Sequence, residues 1–284
     1  MNHSFLILGA NGQLGKQFYK DLTRRATTVI APDEKDCDIT SANVLSRYID
    51  SVKPTVVINC AAYNAVDLAE QQPETAYRIN TSSAGMIAAL CAERKISFVH
   101  YSSDYVFDGA KGDRYSEQDV PNPLNVYGKS KHDGETAVLA AGGTSLVLRT
   151  SWVFGNGTQN FIYKMKQWSQ MNPVLKLTAD EVSVPTSTID LVDITLRALN
   201  KGLSGLFHLT NSDYASRYEW GRYVAKQLSL SATIIPVPMS MFPSPAQRPL
   251  FSAMSNQRLQ DDLGIVIPDW RDAVDRFIKE YPMR

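Results

Sequence analysis

Phe5-Leu6-Ile7-Leu8-Gly9-Ala10-Asn11-Gly12-Gln13-Leu14-Gly15 is the stretch from which the fold of this chain is read. Four apolar residues in succession predict a strand buried on both faces. The glycines then fall in the spacing G-x-x-G-x-x-G, and residues 14–25 carry a helical pattern. Glycines so placed between a strand and a helix permit a tight turn, close backbone approach to a pyrophosphate and close helix–strand packing. The helix N-terminus adds free N–H groups and partial positive charge for phosphate oxygens. Gly9, Asn11, Gly12, Gln13, Leu14 and Gly15 are therefore the expected first contacts of a dinucleotide.

Outward from this turn, strand patterns at 28–31, 55–59, 96–101 and 145–149 alternate with helical patterns at 44–51, 74–94 and 126–140. The alternation predicts an α/β fold, a Rossmann-type doubly wound parallel sheet. Ligands of such sheets bind beyond the carboxyl ends of the strands. Four polar or Gly-rich stretches lie at those ends: the turn itself, residues 59–66, residues 102–105 and residues 149–152. After Trp152 the alternation weakens and prolines accumulate, with one more strand pattern at 205–210 and an irregular stretch at 236–249. The expected organisation is a dinucleotide-binding domain over 1–155 and a smaller, mainly substrate-binding lobe over 156–284, part of which (around 185–210) returns to the first domain.

Composition narrows the class. Lys plus Arg and Asp plus Glu both number 29 in 284 residues, a balance without a nucleic-acid footprint. No apolar run approaches a membrane span and no signal-peptide pattern opens the chain, so a cytoplasmic protein with neither nucleic acid nor membrane as partner is expected. Cys37, Cys60 and Cys91 are too few and scattered for a disulfide framework and read as small core residues. His3, His100, His132 and His208 lack metal-ligand spacing, so no metal is expected. Trp168, Trp220 and Trp270 read as packing, and Asp67 and Glu70 as a solvated face.

The chemistry is read from Tyr127-Gly128-Lys129-Ser130-Lys131. Residues four apart share a helix face. A free tyrosine titrates near pH 10, and a neighbouring ammonium lowers that value. A Tyr127 tuned by Lys131 would deliver a proton to a carbonyl oxygen that receives a hydride, and Lys131 would also bond a nicotinamide ribose. Ser103, at the end of the fourth strand, would bond the same oxygen. Asp33, about 20 positions beyond the glycines, suits a ribose 2′-OH, whereas nearby Lys35 suits a 2′-phosphate. NADH and NADPH thus both remain open. Asp38 and Ile39 would bond and pack against the adenine.

Together these motifs resemble the extended short-chain dehydrogenase/reductase superfamily. Residues 59–70, 102–109 and 148–155, with Pro185-Thr186 and Arg248-Pro249, narrow the resemblance to the dTDP-4-dehydrorhamnose reductase family over nearly the full chain. That resemblance implies reduction of the C4 ketone of dTDP-4-dehydro-L-rhamnose by NADPH or NADH. It implies that Ser103, Tyr127 and Lys131 are catalytic and that Ala61, Ala62 and Tyr63 line the cofactor. Val66, Asp104, Tyr105 and Trp152 would face the sugar and Arg248 the diphosphate. A dTDP-sugar is the expected partner, and association of two copies is left open. Ser103 replaces the family's usual Thr. Asp180-Glu181-Val182-Ser183 and the residues after Pro249 depart from its pattern, which leaves the exact sugar open. Two alternatives stand beside this reading: another sugar-nucleotide 4-ketoreductase or an epimerase, or a non-catalytic regulatory subunit of a methionine adenosyltransferase.

Overall fold

A computed structural model describes residues 3–282. Its centre is a six-stranded, all-parallel sheet in the order β2 (Thr28–Ile30), β1 (Ser4–Leu8), β3 (Val56–Asn59), β4 (Ser97–Ser103), β5 (Ser145–Thr150) and β10 (Gly205–His208). Consecutive residues of each strand point to opposite faces. Phe5, Ile7, Val56, Ile58 and Leu148 enter one core, and Leu6, Leu8, Val57, Phe98 and Val147 enter the other. Burial on both faces explains the unbroken apolar runs. The order reverses between β1 and β3, which opens a crevice there.

Helices α1 (Gln13–Arg24) and α2 (Ala42–Val52) follow the first two strands, and the short α3 (Val66–Ala69) follows β3. The single helix expected over 74–94 is instead α4 (Pro73–Tyr77), a π-helical stretch Arg78–Ser83 and α5 (Ala84–Glu93). Wide π turns often mark functional sites. Here the turn lets buried Asn80 bond the backbone of Tyr63 at 2.8 and 3.1 Å and the Ser130 hydroxyl at 3.0 Å, tying the loop after β3 to α6 (Val126–Ala140).

Beyond β5 the chain forms β6 (Val153–Phe154), α7 (Phe161–Met171), β7 (Val174–Thr178), β8 (Val182–Ser183) and β9 (Thr186–Ser187). Helix α8 (Thr188–Lys201) then carries it back to the sheet, where β10 pairs with β5. β11 (Ala215–Ser216), α9 (Arg217–Gln227), β12 (Thr233–Val237), α10 (Gln257–Leu263) and α11 (Trp270–Glu280) complete the fold. A separate core of Phe154, Ile162, Met165, Leu177, Trp220, Trp270 and Phe277 holds this second lobe together. No helix of the described residues is long and apolar enough to cross a membrane.

Candidate active site

Three adjoining cavities form one cleft over the carboxyl ends of the strands. The first, about 330 Å³, is lined by Gly9, Asn11, Gly12, Asp33, Asp38, Ile39, Ala61 and Ala62. The second, about 390 Å³, shares Gly12, Ala61, Ala62 and Asn64 with it and adds Gln13, Leu14, Val66, Ser103, Asp104, Tyr105, Tyr127 and Lys131. The third, about 750 Å³, meets the second at Trp152 and Val153.

The first cavity is shaped by glycine. Gly9 has a φ of +76°, and a Cβ there would lie 2.5 Å from the Ala61 nitrogen. A Cβ on Gly15 would lie 2.4 Å from the Gly9 carbonyl oxygen, so Gly15 seats α1 on β1 and does not face the cavity. Gly12 caps α1 without a side chain, and no acidic residue occupies the first turn. Open N–H groups and the helix dipole there suit a phosphate. Asp33 lines the cavity with one carboxylate oxygen committed to the backbone N–H groups of Lys35 and Asp36, at 2.8 and 3.0 Å. Asp38 likewise accepts from Thr40, which lowers its pKa. Tyr63, expected on the cofactor, is not on the wall: its hydroxyl donates to Gln72 at 3.1 Å. Cys60, expected in the core, lines both cavities, where burial pushes its thiol far up.

The second cavity is organised by α6. Asn125 caps the helix, accepting from the Gly128 N–H at 2.8 Å, and Glu70 accepts from the Val126 N–H at 2.7 Å. Glu70 is thus a fastener of the helix start, not a solvated charge. Tyr127, Lys131 and Glu135 follow at four-residue intervals, all buried on one face. The Tyr127 hydroxyl donates to Asn64 Oδ1 at 3.5 Å, and its ring meets that of Tyr105 edge to face at 5.8 Å. Burial pushes the Tyr127 phenol up to about 12; the Ser103 hydroxyl opposes the rise and the Asp104 carboxylate adds to it. The net shift is upward, and Lys131 is not among its causes. Desolvation dominates, and the Lys131 ammonium donates to the Tyr101 carbonyl at 2.5 Å. Burial also lowers Lys131 to about 8, while Glu135 one turn on favours its charge. Glu135 itself is pulled down to about 2: burial raises it, but Arg149, which donates to both its oxygens at 2.8 and 2.7 Å, outweighs burial.

Ser103 ends β4, and Asp104 opens the following turn with its carboxylate buried among serines. The Thr150 hydroxyl and the Trp152 indole N–H are buried, line the cleft and have no hydrogen-bond partner. Such groups are costly unless a ligand satisfies them. Trp152 also has a φ of +39°, a strained backbone for a bulky residue. The strain sets its ring at the junction of the second and third cavities, stacked 5.7 Å from Trp220 and 3.6 Å under the Arg217 guanidinium.

The third cavity holds what sequence reasoning missed. Phe161, Trp168, Trp220, Lys164, Lys176 and Arg217 line it. Trp168, read as packing, is half-exposed on this wall. Arg217 has only a loose carboxylate partner, Glu181 at 3.6 Å. Six aromatic or cationic side chains from two helices and a strand give no compact motif; only the clustering of aromatics with basic residues over 161–176 hinted at it. Arg248, expected on a diphosphate, lies outside the cavity walls and pairs with Asp67 at 2.7 and 3.0 Å. Asp67 stays half-exposed, as its solvated face predicts, but it is also an ion-pair partner: Arg248 lowers its pKa, and its carboxylate holds Arg248 aside.

A switch-point crevice leading to a strand-end Ser and a helical Tyr-x-x-x-Lys places the chain among the extended short-chain dehydrogenases/reductases. Within that class, residues 3–283 match the family described as the RmlD substrate binding domain, and the chain belongs to that family. It is 36% identical to a dTDP-4-dehydrorhamnose reductase of Burkholderia thailandensis, covering 97% of this chain and 98% of the relative. The crystal structure of a dTDP-4-dehydrorhamnose reductase from Clostridium acetobutylicum superposes with a TM-score of 0.95 at 35% identity, over 99% of this chain and 100% of that one. That from Bacillus anthracis, in complex with NADP, has the same TM-score at 31% identity and the same coverage.

Proposed function

We propose that the chain reduces the C4 ketone of a dTDP-4-dehydro-6-deoxy sugar, dTDP-4-dehydro-L-rhamnose to dTDP-L-rhamnose, with NADPH or NADH. One observation carries this reading: the proton donor candidate Tyr127 lies between an anion-binding helix start and an aromatic, cationic chamber, in one continuous cleft.

The residues present fit a dinucleotide. The Gly12 end of α1 takes the pyrophosphate, Asp38 and Ile39 flank the adenine, and Ala61 and Ala62 line the path to Lys131. Bound there, the nicotinamide supplies the hydride. Lys131 turns its ammonium to the ribose and Tyr127 gives its proton to the C4 oxygen. A Tyr127 held at about 12 keeps that proton until the oxygen becomes basic enough to take it. Val66, Tyr105 and Trp152 hold the sugar. The nucleotide half enters the third cavity, its base against Phe161, Trp168 or Trp220 and its diphosphate on Arg217, Lys164 and Lys176. Arg248, turned to Asp67, reaches the diphosphate only if that pair opens. Residues 1–155 serve the cofactor and 156–284 mainly the substrate, with α8 packed on the six-stranded sheet and β10 part of it. Reduced nicotinamide and nucleotide sugar place this work in the cytoplasm.

Elimination of water from the sugar would need a base beside Tyr127. Tyr105 occupies that place, and burial pushes its phenol far up, so it is no base at neutral pH. The test is oxidation of NADPH or NADH with dTDP-4-dehydro-L-rhamnose generated in situ. Sugar-dependent loss of the reduced-nicotinamide absorbance is expected. Intact cofactor binding without turnover would move the assignment to another 4-keto sugar nucleotide or to a non-catalytic role.

A further inference from the structure

Glu135 and Arg149 form an ion pair behind the site, and neither lines the cleft. Glu135, Arg149 and Lys131 are each 2% exposed. Both carboxylate oxygens of Glu135 accept from the Arg149 guanidinium. The His132 Nδ1 lies 3.4 Å from the same carboxylate, and the His208 ring, held neutral by burial, lies 3.4 Å from Arg149. A buried ion pair returns little net stability over apolar side chains of similar volume. What apolar side chains cannot supply is a fixed negative charge one helical turn from Lys131.

Lys131 needs that charge. Among the described residues its one hydrogen-bond partner is the Tyr101 carbonyl, which is neutral. In the packing around it, His100 and the Tyr101 phenol on β4 and the Cys60 thiol after β3 are held neutral by burial. Tyr127, one turn earlier on α6, keeps its proton, and the Asp104 carboxylate bears on Tyr127 and not on Lys131. Glu135 is the carboxylate whose charge reaches the ammonium. We infer that Glu135 is a positioning residue for the reaction: held ionised by Arg149, it keeps the Lys131 ammonium charged in surroundings too dry to do so, and so able to hold the nicotinamide ribose. An ammonium offers three charge-assisted donors, where an amine in the same place is a weak one. The dry pair is then part of the site first and of the fold second.

This inference rests on Lys131 holding the cofactor. Its test is the pH dependence of NADH binding, which needs no sugar, read beside that of kcat/KM. Each profile is scaled to its own acid plateau, so that unfolded protein cancels. In the wild type both should weaken as pH rises through about 8, where Lys131 loses its proton. Glu135→Gln combined with Arg149→Met removes both charges, leaves none unpaired and keeps an apolar stem against the Phe107 ring. In that double variant the midpoint is expected to fall by about one pH unit. Scaled NADH affinity at pH 8 is then about 5-fold below that of the wild type. Glu135→Gln alone should move the midpoint at least as far, because Arg149 then repels the ammonium unopposed; where it fails to fold, the double variant carries the test. His132→Gln removes the half-buried group that also titrates against Glu135, and should leave the midpoint in place. A midpoint that stays near 8 without Glu135, one that moves in His132→Gln, or a double variant that does not fold would overturn the inference. If Lys131→Ala binds NADH and turns over like the wild type, the role proposed for Lys131 has failed; if Lys131→Ala is impaired and the midpoint does not move, only that of Glu135 has.

Discussion

The two halves of the cleft are built in opposite ways. On the sheet side, Tyr127, Lys131 and Glu135 stand on one helix, buried, with Glu135 locked to Arg149 in a pair that is almost fully dry. On the lobe side, Phe161, Trp168, Lys164, Lys176 and Arg217 line a wide chamber, where Arg217 lies against ring faces with Glu181 as a loose partner. The sheet side is stiff and sets charge and proton position. The lobe side is open and offers area and charge to a ligand. Removing a group should cost chemistry or fold stability on the first side and binding on the second, and each measurement below tests that division.

The largest effect belongs to Tyr127→Phe, for which kcat should fall by about 10²- to 10⁴-fold while the cofactor Kd stays nearly unchanged. Comparable turnover in that variant would end the mechanism. Next comes the dry pair behind Lys131. Glu135→Ala leaves Arg149 buried and uncompensated, a change that costs about 3–5 kcal/mol when one partner of a buried pair is lost. Denaturant unfolding reads it, and a loss below about 1 kcal/mol, the range of surface pairs, would mean that the site is wetter than its geometry.

Arg217→Ala tests the other side. It should raise the KM for the nucleotide sugar about 10- to 100-fold with kcat little altered, as loss of a charge-assisted contact predicts. A fall in kcat at constant KM would put Arg217 with the chemistry and dissolve the contrast. The smallest effect is a pH dependence. Burial holds Lys131 at about 8, so its ammonium is complete well below that pH and is lost as pH rises through it. The alkaline limb of kcat/KM, which reports the free enzyme, should therefore centre near pH 8 and not near the value of about 12 held by Tyr127.

What could be read in advance follows the same division. The glycine turn, the parallel alternation and the Tyr127–Lys131 spacing are local: a strand period, a helical repeat and a tight turn write themselves within a dozen residues. The long helix over 74–94 was legible as helix but not as interrupted, because the π turn exists to let Asn80 reach Tyr63 and Ser130, contacts with no local signal. The partners of Asp67 and Glu70 were hidden for the same reason: Arg248 and the Val126 N–H are 181 and 56 residues away.

The sequence by itself determined the α/β class, the dinucleotide crevice and the pairing of Tyr127 with Lys131, since each depends on backbone geometry over short spans. Tertiary structure alone decided the protonation of that pair, the aromatic chamber and the charge behind Lys131. A pKa follows from the burial and neighbours that packing imposes, and Glu135 stays ionised only where β5 brings Arg149 to both its oxygens.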